Sequence, residues 1–135
     1  MKKVNIPHGT DKDSVYARKE IIGTMLARLI GTSVPCPALG EGKKVEFLFK
    51  SIDETATRAA KSYESTCGAL RVVEAIKKAT YVKEDIPRSR NQEKMNFIKV
   101  HELKAILSNI GEVKIIVGER KNTRILHYCI TKKQG

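Results

Sequence analysis

Apolar positions change period along the chain, and the change predicts the elements. Between Asp11 and Ile30, Val15, Ile22, Met25, Leu26, Leu29 and Ile30 recur near the helical period, so a helix is expected there, capped by Asp11 or Asp13. Gly31 and Thr32 end it, and G-T-S-V-P-C-P-A-L-G-E-G, residues 31–42, is a loop by composition. V-E-F-L-F at 45–49 predicts a short strand. Ser51 or Asp53 then caps a helix, with Glu54 in capping-box position after Ser51. That helix runs through Ala60 and Tyr63 towards Cys67, and Gly68 can break it. A second helical run, 69–79, places Leu70, Val73 and Ile76 on one side. Residues 80–87 are extended, because Pro87 disfavours helix before it. R-S-R-N-Q-E-K at 88–94 is a polar loop.

The stretch 97–107 supports two readings. Phe97, Lys99, His101, Leu103, Ala105 and Leu107 alternate with the residues between them, as in a strand of mixed faces. Val100, Leu103, Leu107 and Ile110 also fit a helix, and the strand reading is preferred for the first half. Asn109 to Gly111 forms a turn. Two β-branched runs follow, 113–117 and 125–130, separated by a polar segment, which is the pattern of a β-hairpin with a medium loop. Helices first and antiparallel strands last predict an α+β fold, with the helices on one face of a small sheet.

At 135 residues the chain fits one domain, 1–135, with residues 1–40 as a helical extension and loop and 45–131 as the core. Charge alters the functional picture more than size does. Lys and Arg outnumber Asp and Glu by eleven, and more than half of that surplus lies after residue 80. Such a balance favours a polyanionic partner, RNA or another nucleic acid first, over a merely solvated basic surface. A protein partner is the rival expectation, and oligomeric state stays open. Aromatic residues are only 5%, too few for a binding surface built on base stacking. Cys36, Cys67 and Cys129 are far apart and odd in number, so no disulfide framework is expected. Met1-Lys2-Lys3 leads into no apolar run, and no stretch reaches membrane-spanning length, so a cytoplasmic protein without membrane association is expected.

Most chemical motifs are absent. His8, His101 and His127 are scattered, and neither a Cys/His cluster nor H-E-x-x-H occurs, so neither metal nor cofactor is expected. Gly40-Glu41-Gly42-Lys43-Lys44 precedes a strand rather than a helix, the wrong context for a phosphate loop. Metal-free RNA cleavage needs less: a base for the 2′-hydroxyl, an acid for the leaving oxygen and cations for the phosphorane. The hairpin offers His127 as acid, with Tyr128 beside it; His101 or Glu102 is the base, with Glu119 a further candidate. Lys114, Arg120, Lys121 and Arg124 are the phosphate contacts. A regular strand would send Arg124 and His127 to opposite faces, so a bulge, or Arg124 in the loop, is required. Each has a plainer alternative: His127 as a half-buried strand residue, the arginines as an exposed hairpin tip. Tyr63 and Tyr81 read as core or rim residues.

The runs L-K-A-I-L-S-N-I-G-E-V-K-I-I-V-G-E-R and I-L-H-Y-C-I-T resemble the C-terminal sheet of the phage-associated barnase–EndoU–colicin–RelE-like (BECR) nuclease domains. The upstream F-K-S, I-D-E-T-A-T-R-A-A-K-S-Y-E-S and E-A-I-K-K-A-T-Y-V-K pieces are similar too, so the resemblance spans residues 45–131. It implies helices packed on an antiparallel sheet of about four strands, and RNA cleavage on the exposed sheet face. Active residues differ among such domains. Only His127 and Tyr128, on the last strand, carry over as an acid or a phosphate contact.

Overall fold

The computed structural model describes residues 5–133. The Asp11 carboxylate accepts a hydrogen bond from the Ser14 amide at 3.1 Å, and this cap opens α1 (Lys12–Leu26). A 3₁₀ turn (Ala27–Leu29) tightens its end. The expected loop at 31–42 is in fact structured. It holds β1 (Ser33–Pro35) and a second 3₁₀ turn (Pro37–Leu39), and β1 pairs antiparallel with β2 (Lys44–Glu46).

The expected strand at 45–49 stops early, and α2 (Phe49–Ala59) begins at its far end. Ser51 does not cap as expected: it lies in the first turn, where its Oγ accepts from the Leu48 amide at 3.1 Å. Glu54 instead pairs with Arg58 at 3.1 Å, one turn on. Gly68 lies in the last turn of a helix, and the expected break comes just after it, at 70–71. An unexpected break falls at 60–62, where Ser62 caps a fresh helix, α3 (Tyr63–Ala69), by accepting from the Ser65 amide. Then come α4 (Val72–Lys78), β3 (Thr80–Asp85) and a short α5 (Arg90–Lys94) inside the expected polar loop, capped by Ser89. The ambiguous stretch is strand throughout, β4 (Phe97–Leu107). The hairpin is β5 (Gly111–Arg120) and β6 (Ile125–Lys132).

Among the described residues six strands form one sheet in the order β1-β2-β6-β5-β4-β3, antiparallel except where β2 meets β6. This is the expected α+β class, with more strands than the C-terminal half alone supplies. Residues assigned to an N-terminal extension are integral: Ile22, Leu26, Leu29, Val34 and Cys36 are all buried in the main core. Arg18, on the same helix, is fully buried and donates to the carbonyls of Pro7, Gly9 and Ala60.

The helices cover one face of the sheet, where Leu103, Ala105, Leu107, Val113, Ile115, Val117 and Ile130 lie. A smaller cluster of Met95, Phe97, Val100, Leu126, Tyr128 and Cys129 lies on the other face. β2 reaches β6 only at Glu46 and Leu126, so most of the outer edge of β6 would be bare. The helices cover it instead: Thr55 Oγ1 lies 3.4 Å from the Tyr128 carbonyl, and the Lys132 amide donates to Ser65 Oγ at 2.9 Å. Among the described residues no helix is long and apolar enough to cross a membrane.

Candidate active site

The register decides which expected site residues can meet. On β6, Cys129 lies opposite Ile116 and His127 opposite Val117, so Tyr128 is an extra, bulged residue. His127 therefore turns into the helix-covered core, and Tyr128 and Cys129 both join the second cluster. His127 is fully buried, its ring 5.0 Å from that of Phe47. Its Nδ1 is 3.1 Å from Thr55 Oγ1, and burial alone pushes its pKa down to about 3. A neutral, sealed imidazole has no route to a substrate and no proton to give, so in this structure His127 does not serve as the expected general acid.

The other expected residues separate by face. Glu102 and Lys114 lie on the second face, Glu102 half-buried and Lys114 exposed. Tyr128 is buried there. Its hydroxyl accepts from Arg58 Nη2 at 3.0 Å and lies 3.3 Å from Ser89 Oγ. Burial pushes this phenol above its ordinary range. Arg120 donates to the Met95 carbonyl at 2.9 Å, a structural tether. Lys121 is exposed at the hairpin tip. Arg124 forks onto Glu46 at 2.8 and 3.1 Å, joining the tip to β2 with its charge already answered.

His101 has different company. It lies on the helix-side face of β4, between Glu84 on β3 and Val117 on β5. Its Nδ1 is 2.8 Å from the Tyr81 hydroxyl and its Nε2 is 3.1 Å from Glu119 Oε1. A carboxylate only accepts, so Nε2 carries the hydrogen and Nδ1 accepts from the Tyr81 O–H. Burial, reinforced by the Glu84 and Glu119 carboxylates, pushes the Tyr81 phenol above its ordinary range and keeps it a donor. His101 is 7% exposed, whereas Tyr81 is 43% exposed.

This chain of three opens into a pocket of about 270 Å³ under the 31–42 segment, where Leu39, Lys43, Thr123 and Ile125 complete the wall. Among the described residues Lys43 is the only lysine or arginine lining it. Thr123 holds a left-handed backbone, φ 69°, costly for a β-branched residue and a mark of strain at the hairpin tip. Sequence reasoning named His101 and Glu119 but read Tyr81 as a core or rim residue and set Lys43 aside with the turn before a strand. Tyr81 sits on an edge strand twenty residues before His101, and no local spacing announces their contact.

Among the described residues no three of His, Cys, Asp and Glu gather where a metal ion could be held. Cys36 and Cys129 are buried free thiols, and burial pushes Cys129 up to about 12, which leaves it inert as a nucleophile. Comparison of the chain with protein-family models, with curated proteins and with solved structures finds no match.

Proposed function

We propose that this chain is a metal-independent ribonuclease of the BECR type, acting in the cytoplasm, with its acid–base centre at Tyr81, His101 and Glu119. One observation carries the reading: a hydrogen-bonded phenol–imidazole–carboxylate chain begins at an exposed tyrosine and lines a pocket that Lys43 also lines. The order of groups supports a relay. Tyr81 Oη takes the proton of the substrate 2′-hydroxyl while its own proton passes to His101 Nδ1. The imidazolium so formed is stabilised by the Glu119 carboxylate at Nε2. The 2′ oxygen bonds to phosphorus, the bond to the 5′ oxygen breaks, and the 5′ oxygen takes a proton from the Lys43 ammonium. The products are a 2′,3′-cyclic phosphate and a free 5′-hydroxyl. Lys43 also offsets charge on the phosphorane.

The test is incubation of purified protein with labelled mixed-sequence RNA in excess EDTA, with end-group analysis. Wild type should leave 2′,3′-cyclic phosphate ends, and His101→Gln should slow the reaction by roughly 10²–10⁴-fold. Intact RNA, or an unaffected His101→Gln, would overturn the reading. A second reading has its own support: both ring nitrogens of His101 are already satisfied within the protein, as in a structural contact. In that case the chain is a basic nucleic-acid-binding module, and the same experiment returns intact RNA with a salt-sensitive gel shift.

A further inference from the structure

We infer that the second face of the sheet is a contact track for the phosphodiester backbone of RNA, centred on Lys104 and Lys114; the choice of RNA rests on the function proposed above. Lys104 on β4 and Lys114 on β5 are direct register partners, and both are exposed. Side chains directly opposite on a sheet have Cβ atoms about 5 Å apart, and like charges placed there destabilise it. Among the described residues no carboxylate closes an ion pair with Lys104, Lys114 or Lys83. Glu112 feels Lys104, but it is held by Lys133 at 3.0 Å. The two ammonium groups thus face each other without an ion pair of their own, with Glu102 and Glu112 only diagonal to them.

The neighbouring row extends the feature. Lys83 stands opposite Glu102 without closing an ion pair, and it lines a depression of about 380 Å³ with Lys114 and Arg88, where the carboxylates of Glu102 and Asp85 also lie. Arg88 is anchored there by a fork onto Asp85, both distances 3.1 Å. Ile106, 68% exposed, flanks the lysines on the same face. A phosphate bridging two opposed ammonium groups removes their repulsion, and an apolar flank accommodates a ribose. The track and the Tyr81–His101–Glu119 pocket lie on opposite faces of β3, β4 and β5. A strand that uses both must pass over the β3 edge, where Tyr81 and Lys83 belong to opposite faces.

The experiment compares wild type, Lys104→Gln/Lys114→Gln and the control Lys19→Gln, an exposed lysine on α1. Affinity for a 20-nucleotide RNA is measured across salt, with Tm without RNA and turnover of a dinucleoside monophosphate. The double variant should bind the long RNA roughly tenfold more weakly, with a salt slope shallower by about one unit per lysine. Its Tm should rise, because a like-charge pair is gone, and its turnover of the short substrate should match wild type. Lys19→Gln should change none of these. Long-RNA binding unaffected by the double variant, or weakened equally by Lys19→Gln, would overturn the track while leaving the nuclease standing. A fall in Tm beside the lost affinity would reduce the effect to misfolding and overturn it too. Track-dependent binding without cleavage would remove the nuclease and keep the track. Preference for polyglutamate of matched charge over RNA would replace the RNA partner with an acidic protein.

Discussion

The Nδ1 of His127 lies 3.1 Å from Thr55 Oγ1, in the sealed space between β6 and α2. The Thr55 hydroxyl donates to the Ser51 carbonyl at 2.8 Å, so it accepts from His127 and places the ring hydrogen on Nδ1. Nε2 is then a bare acceptor with no partner among the described residues. An imidazolium would need an acceptor there, and none stands within reach among the described residues. The residue that looks most like a catalyst in the sequence is a neutral strut in the fold.

That strut predicts acid lability. Unfolded, His127 titrates near 6.5; folded, near 3, because burial penalises the cation. The unfolded chain thus binds a proton that the native one refuses. The associated stability is fully present above pH 6.5 and is lost as pH falls towards 3, by up to about 1.4 kcal/mol per pH unit. His127→Leu should flatten that part of the curve. Urea titrations of both proteins between pH 4 and 8 check it, and parallel curves would refute it.

The relay predicts graded losses in turnover. Tyr81→Phe removes the group that meets substrate and should cost about 10²–10³-fold in kcat. Glu119→Gln keeps the shape but not the charge behind the imidazolium, so it should lower kcat and leave KM nearly unchanged. Equal activity of Tyr81→Phe and wild type would place the chemistry elsewhere.

Gly118 predicts a packing defect. It faces Val100 across the ladder, and a Cβ there would stand 2.3 Å from the Phe97 ring. That ring seals the second cluster beside Met95 and meets Tyr128 edge-on at 6.0 Å. Gly118→Ala should destabilise by about 1–3 kcal/mol through overpacking. Chemical denaturation reads the loss, and an unchanged midpoint would mean that the ring moves aside freely.

Arg18 predicts that shape outweighs charge in the core. Its guanidinium is buried and spreads donors over three carbonyls, 2.7–2.9 Å away. Lysine keeps the charge but cannot reproduce the planar fork. Arg18→Lys should cost about 2 kcal/mol, the loss of one or two charge-assisted hydrogen bonds. Protease cleavage near Pro7 and Gly9 should quicken alongside. A variant as stable and as resistant as wild type would remove the anchoring role.

The sequence by itself determined what depends on neighbours along the chain. The Asp11 cap, the helical run after it, the hairpin of β5 and β6 and the α+β order all follow from side-chain period and turn chemistry within a few residues. It even carried the parity conflict between Arg124 and His127, and the fold keeps them apart: Arg124 lies in the loop on Glu46, and His127 is sealed in the core. Local signals erred where tertiary contacts outbid them. Ser62 opens a new helix where one continuous helix was expected, Ser89 caps a short helix in a polar loop, and β1 forms because β2 is there to pair with it.

Only the tertiary structure decided the site. Which face of β6 lies under α2 is set by the register across β5 and a single bulged residue, and that choice buries His127. The meeting of Tyr81, His101 and Glu119 needs three strands aligned to within a residue, and the opposition of Lys104 and Lys114 needs two. Alignment of that kind is the free-energy optimum of the whole packed core, not of any short stretch of chain.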